Sequence, residues 1–473
     1  MLALTACSRT QYFPGDPTKR TYKLESTLNR IHIYIESTCD YKTFTPQKSF
    51  FTMTTNGKRV CVIGAGTAGL CALKNSLQQG MDVVAYEQCS EIGGTWVYEK
   101  AGEDNVHSSM YEGLRTNLPK EIMGYPDYPY PKDIEESFVP SAEVLKFLQS
   151  YAQHFDLSEY IKLQHEIIRV RPLNDKWEIY VRDIKHDEFS KEIFDFVFVC
   201  NGHYSMPLMP AIVGIEEYKG KKLHSHWYRK PDTFEGATVL VIGAGPSGMD
   251  ITNHISKFTK RVFLSHNLDP APCTDFMQNV TQKTVVQRFT ADGAIFKDGT
   301  IETFDHIIFC TGYKYTFPFL SMDVSLRVDD NFVHPLYKHC INIHYPTMAL
   351  IGLPFYVCPS QSFDLQVRFA LTYFTKKREF PSREEMFADL EKEIEQRRKK
   401  GLTNRQAHAM GDKQYDYYQD LAETAGIENI KPVINKIMDD CRLKYIYELA
   451  TYRNQCFKVL DDETFVKFPM TTT

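Results

Sequence analysis

The stretch KRVCVIGAGTAGLCALKNSLQQG, residues 58–80, decides the fold. RVCVIG is an unbroken apolar run, the pattern of a parallel strand buried on both faces. The run Gly64-Ala65-Gly66-Thr67-Ala68-Gly69 then turns the chain, and TAGLCALKNSLQQG reads as a helix that stops at Gly80. DVVAYE follows as the next strand. In this context the first glycine permits a tight turn, the second lets the backbone approach a pyrophosphate, and the third lets helix and strand pack closely. The phosphate then lies on the free N–H groups and positive end of the helix. Glu87 closes the second strand, 87 − 69 = 18 residues past Gly69, where a carboxylate accepts hydrogen bonds from ribose hydroxyls. A glycine turn without a ligand is the plainer reading, but strand, helix and acid stand together here.

The same order returns at 238–266: TVLVIG, AGPSGMDITNHISKF, RVFLSH. The second loop is Gly243-Ala244-Gly245-Pro246-Ser247-Gly248. Gly64 to Glu87 is 23 residues, and 243 + 23 falls on His266, preceded by Ser265. No carboxylate stands where it would repel a 2′-phosphate, which fits NADP better than NAD. Lys260 and Arg261 are expected to add positive potential. The candidate set for this second nucleotide is Gly243, Gly245, Ser247, Gly248, Asp250, Ser265 and His266.

Across all 473 residues, 43% are hydrophobic and 24% charged, so a sizeable core is expected and wholesale disorder is excluded. A net charge of −5 without a long basic run argues against nucleic-acid binding. The longest apolar stretches, such as TMALIGLPFYVC (347–358), are too short to span a bilayer, and the ending VKFPMTTT is polar. Twelve cysteines form no CxxC pair and no His/Cys cluster with zinc spacing, so free thiols, a reducing compartment and no metal are expected. Residues 1–56 carry no sustained helical or strand period and read as a non-core extension. Helical period marks 142–155 and a charged, solvated helix marks 382–400. Segments 162–182 and 192–200 read as meander strands, and DHIIFC (305–310) as another buried strand.

Two dinucleotide loops in one chain suggest a flavoprotein taking hydride from a nicotinamide. A disulfide reductase would need a cysteine pair beside the flavin, and Gly93–Arg169 contains no cysteine. Four further segments then carry a resemblance to the flavin-containing monooxygenases. Tyr218-x-Gly220-x-x-x-His224-x-x-x-Tyr228 resembles the family's identifying sequence, with Tyr for the usual first Phe. Phe309-Cys310-Thr311-Gly312-Tyr313 is similar to its FATGY-type motif. Glu91-Ile92-Gly93-Gly94-Thr95-Trp96 resembles its second flavin segment, and TNLPKEIMGYPDYPYP (116–131) the segment holding an Asn beside the flavin ring. The likeness runs from about Lys58 to Tyr445. An arginine that the family places on the 2′-phosphate is replaced by His266.

The resemblance implies an α/β fold of two Rossmann-like domains: a discontinuous FAD domain (57–205 and 305–473, the second part with C-terminal helices) and an NADP domain at 206–304. It implies NADPH- and O₂-dependent N- or S-oxygenation of an amine or thioether through a C4a-hydroperoxyflavin, with Asn117 catalytic. The FAD set is Gly64, Ala65, Gly66, Thr67, Ala68, Gly69, Glu87, Gly94, Thr95, Trp96, Thr116 and Asn117. His203, His224 and His226 are tempting acid–base groups but read better as structural histidines. Tyr228 followed by Arg229 departs from the ending of Baeyer–Villiger enzymes, which ranks ketone oxygenation lower. An uncoupled NADPH oxidase and a nucleotide-binding paralogue without turnover stay open as alternatives. The expected location is the cytoplasm or the periphery of the endoplasmic reticulum; a homodimer is left open.

Overall fold

A computed structural model describes residues 19–21, 36–38, 57–99 and 107–470. The chain forms two compact units, Met1–Thr52 and Met53–Thr473. In the first, Lys19–Thr21 pairs antiparallel with Glu36–Thr38. No strand period was legible there, because three-residue strands are too short to show one. The rest of the expected extension lies outside the described residues.

The second unit holds two parallel sheets. The larger one has seven strands. At its centre Arg59–Ile63 lies between Asp82–Glu87 and Phe196–Val199, all parallel. Ile161–Leu163 extends one side, and Met348–Leu350 the other. Leu336–Tyr337 and Ile341–Asn342 close that second edge antiparallel. Helix Thr67–Gln78 covers one face and packs on helix Pro359–Phe374. Val60, Val62, Leu70 and Leu73 are fully buried between them, as apolar residues on strands covered on both faces must be.

The meander expected from 162 onward is His165–Leu173, Lys176–Asp183 and Glu188–Phe194, paired antiparallel. Of the segment 192–200, only residues 192–194 belong to it, as the end of Glu188–Phe194. The chain breaks at Asp195, whose carboxylate accepts from Lys58 Nζ (2.8 Å) and Arg59 N–H (3.0 Å), and Phe196–Val199 enters the large sheet. Four consecutive buried residues, FVFV, suit a strand covered on both faces rather than an alternating meander.

The smaller parallel sheet runs Lys221–His224, His306–Phe309, Thr238–Ile242, Arg261–Ser265, Val280–Lys283. Its second strand corrects a boundary at 304: His306–Phe309 pairs with both Lys221–His224 and Thr238–Ile242, so this sheet's chain extends to Phe309. A buried apolar strand carries no mark of which sheet it joins.

Helix Arg383–Lys399 starts with a capping box, Ser382 Oγ accepting from Glu385 N–H and Glu385 accepting from Ser382 N–H. Only Met386 and Leu390 of it are buried, as its charge suggested. No helix among the described residues is long and apolar enough to cross a membrane.

Because Met1–Thr52 is a unit of its own by contacts, a chain begun at Met53 is expected to fold and retain flavin. Flavin absorbance per protein after purification checks this. An insoluble or flavin-free product would show that 1–52 is required.

Candidate functional site

The two glycine loops are built alike. Gly64 N–H donates to the Tyr86 carbonyl and Gly243 N–H to the Ser265 carbonyl, each at 2.8 Å. Tyr86 therefore matches Ser265, and Glu87 matches His266, as the spacing implied. Both first glycines take positive φ (101° and 104°), and a Cβ would stand 2.6 Å from the Cys200 carbonyl oxygen or 2.4 Å from that of Cys310. A Cβ on Gly69 or Gly248 would sit 1.9 or 1.8 Å from the first glycine's own carbonyl oxygen. Helices Thr67–Gln78 and Pro246–Ile255 begin without a side-chain cap and without an acid in the first turn. Their free N–H groups and positive ends face outward as an anion site.

At the first loop Gly93 N–H donates to the Ala65 carbonyl (3.1 Å), which brings the segment Gly94-Thr95-Trp96 against it. A Cβ on Gly94 would meet Gly66 Cα at 3.0 Å. Glu87 is buried, its oxygens accepting from Ala65 N–H (2.8 Å) and Cys89 N–H (2.9 Å). A carboxylate has about four acceptor sites, so others remain for hydroxyls. The Thr95 hydroxyl is buried with no hydrogen-bond partner among the described residues. Thr67, Trp96, Met123, Tyr130 and Ser360 share a cavity of ≈ 30 Å³. An uncapped helix end, a buried acid and an unpartnered buried hydroxyl fit an ADP-bearing cofactor. Ala68 lies in the first helical turn, half-buried.

The sequence carried no sign of the part played by helix Pro359–Phe374. Ser360 Oγ donates to the Met123 carbonyl (2.6 Å) and Gln361 Nε2 to that of Gly124 (2.8 Å), tying this further uncapped helix start to the segment after Asn117. Thr116 is buried and fixed to Val139 through N–H (2.9 Å) and Oγ1 (3.1 Å). Asn117 is exposed, and its amide makes no hydrogen bond among the described residues.

At the second loop a Cβ on Gly245 would meet nothing within 4 Å, so the approach is open, and Ser247 is exposed. Three expected contacts are otherwise engaged. Ser265 is buried and its hydroxyl donates to the Thr284 carbonyl (2.8 Å). Asp250 pairs with Arg453 (2.7 Å) and accepts from Tyr111 OH. His266 Nδ1 accepts from Leu268 N–H (3.2 Å), which leaves Nε2–H to donate to Gln282 Oε1 (2.9 Å). Arg261 opens the strand Arg261–Ser265, about 13 Å from Ser265 at roughly 3.3 Å per residue, and Lys260 lies one residue before it. They do not supplement His266. The position matched to Glu87 carries no carboxylate.

The segment resembling the identifying sequence is a strut. Tyr218 OH donates to the Phe304 carbonyl (2.9 Å) and Tyr228 OH bonds His254 Nδ1 (2.9 Å) on helix Pro246–Ile255. Arg229, which follows Tyr228 where Baeyer–Villiger enzymes differ, is buried and donates to the carbonyls of Glu99, His226, Tyr228 and Ser108.

Burial depresses three of the histidines. Desolvation lowers His203 and His224 to about 4. Desolvation, then His339, pushes His408 well below the usual imidazole range. His408 Nε2 accepts from Val333 N–H (3.0 Å), so its Nδ1–H donates to His339 Nδ1 (2.9 Å), leaving His339 Nε2–H for Glu393 (2.8 Å). His203, His224 and His408 are each depressed below 6.5, so the unfolded chain binds more protons once pH drops under that value. Stability is full above about pH 6.5 and falls as pH drops toward about 4. A melting temperature declining through this window is expected; a flat profile would contradict buried neutral histidines.

A family model described as flavin-binding monooxygenase-like matches residues 57–270 and 267–450. The chain is 32% identical over 425 residues to senecionine N-oxygenase of Tyria jacobaeae, covering 87% of this chain and 92% of that protein. It is 36% identical over 401 residues to flavin-containing monooxygenase FMO GS-OX4 of Arabidopsis thaliana, covering 80% and 86%. Its fold superposes on S-allyl-L-cysteine S-oxygenase from Allium sativum with TM-score 0.80 and 31% identity, over 84% of this chain and 95% of that one. With the two matched loops in place, the chain belongs to the flavin-binding monooxygenase-like family and is an oxidoreductase.

Proposed function

We propose that this protein binds FAD at the Gly64–Gly69 loop and NADPH at the Gly243–Gly248 loop, and oxygenates amine nitrogen or thioether sulfur with O₂. The observation that carries the reading is the matched pair of loops, one with Glu87 at the ribose position and the other with His266. The named activities of the relatives, N-oxygenation and S-oxygenation, support the substrate class. When bound, the flavin supplies hydride acceptance and O₂ activation.

The chain's own residues bind and orient. The helix N-termini at Thr67 and Pro246 take the two pyrophosphates, and Glu87 takes ribose hydroxyls. After the buried Thr116, Asn117 presents a neutral amide, which donates and accepts without charge. No acid–base triad is needed, and His203 and His224, held below the usual imidazole range by burial, supply none.

The test is anaerobic bleaching of the flavin absorbance by NADPH and by NADH. NADPH is expected to be preferred, and His266→Asp to weaken NADPH while sparing NADH. Equal kcat/KM for the two nucleotides in the wild type would overturn the nucleotide assignment.

A further inference from the structure

Arg453 stands outside every motif legible in the sequence, in the turn Tyr452–Asn454 before the strand Gln455–Val459. Its guanidinium is held in three directions. One terminal nitrogen pairs with Asp250 Oδ1 at 2.7 Å. Nε donates to the Thr116 carbonyl at 2.9 Å, and the other terminal nitrogen to the Arg115 carbonyl at 3.2 Å. The guanidinium also lies over the Tyr452 ring, 4.7 Å from its centroid. The ion pair is well shielded, its side chains 17% and 19% exposed.

Each end of this bridge touches one half of the proposed chemistry. Asp250 is the fifth residue of helix Pro246–Ile255, the helix opened by the second glycine loop. Its other oxygen accepts from Tyr111 OH, so its carboxylate cannot swing away freely. The Thr116 carbonyl belongs to the peptide unit that joins Thr116 to Asn117. Thr116 is already pinned through N–H and hydroxyl to Val139, and Arg453 fixes the remaining side of its peptide. The following strand is docked on the same stretch, Phe457 N–H donating to Ser137 Oγ at 2.7 Å.

We propose that Arg453 is a positioning residue that ties the Asn117 peptide to the nucleotide-binding helix through Asp250, and so sets where the Asn117 amide stands. This rests on the reading of Asn117 given above. A planar fork with donors in several directions is what the geometry requires, and a lysine point charge serves only one of them.

Two measurements test this, on the full chain. The first is hydrogen–deuterium exchange of the flavin-free protein. Arg453→Gln is expected to speed exchange in the 114–118 backbone about tenfold, because the carbonyls of Arg115 and Thr116 lose their donor and the stretch opens more easily, while the strand 59–63 keeps its protection. Arg453→Lys keeps the pair with Asp250 but not the fork, and is expected to show the same local change to a smaller degree; it also serves if Arg453→Gln does not fold. The second is a double-mutant cycle on H₂O₂ released per NADPH. Arg453→Gln and Asn117→Leu are each expected to raise it, and the double variant to rise no further than Asn117→Leu alone, because one acts through the other.

Unchanged exchange at 114–118 in both Arg453 variants, or additive uncoupling in the double variant, overturns the proposal. A wild-type enzyme without NADPH-dependent oxygen transfer would sink the function instead, and the exchange result would still decide the positioning claim.

Discussion

Asn117→Leu is expected to leave flavin reduction by NADPH near normal and to divert reducing equivalents into H₂O₂. Leucine is near in size but cannot hydrogen-bond. With FAD bound, the Asn117 amide would offer the oxygen chemistry a hydrogen-bond partner that carries no charge and no readily transferred proton. Leaving that partner unsatisfied costs about 1–3 kcal/mol, equivalent to about a 5- to 150-fold change in rate. The structure gives a mechanical basis for the expectation. Thr116 is clamped by Val139 and Arg453, yet the next side chain is exposed and unengaged. A turn-forming Asn before Pro119 would be indifferent to coupling. H₂O₂ and product measured per NADPH separate the two: unchanged coupling, or collapsed reduction, removes the role.

Gly245→Ala and Gly248→Ala are expected to fail in different ways. A methyl on Gly245 meets nothing, and its backbone (φ −73°, ψ −177°) suits alanine. Folding and flavin content should be unchanged. The methyl would instead occupy the line of approach of the pyrophosphate, and the loss of one charge-assisted hydrogen bond, about 1.5–3 kcal/mol, weakens NADPH by about 10- to 150-fold. A methyl on Gly248 meets the Gly243 carbonyl at 1.8 Å, which no side-chain movement relieves, so helix and strand must part and the melting temperature falls. NADPH KM and thermal melting on the two variants check the contrast. Wild-type KM in Gly245→Ala would mean the pyrophosphate does not pass there.

The glycine positions were legible because their demands are local. A loop of six residues sets its own φ values and close approaches, so Gly64, Gly69, Gly243 and Gly248 stand as read. The Glu87–His266 correspondence was equally legible, since both units repeat one strand–helix–strand spacing. Long-range pairing was not. Nothing in HIIF tells which of two parallel sheets it completes, and the register with Lys221–His224 and Thr238–Ile242 exists only once the chain has folded. The same holds for Arg453, which reaches Asp250 across 203 residues of sequence. Ser265 and His266 show a subtler limit. Their positions were right, but their hydrogen-bonding groups are spent on Thr284, Leu268 and Gln282, partners that sequence spacing does not reveal.

The central claim is transfer of one oxygen atom from O₂ to a soft nucleophile at the cost of one NADPH. For a thioether the balance is substrate, O₂, NADPH and a proton giving sulfoxide, water and NADP⁺. The most direct measurement is turnover of a panel of tertiary amines, thioethers and ketones under isotopically labelled O₂, scored by product mass. The account predicts labelled N-oxide or S-oxide, one labelled oxygen per product and one NADPH consumed with each. Labelled ester from the ketones with no amine or sulfur product, or NADPH consumption that yields only H₂O₂ across the panel, would contradict it.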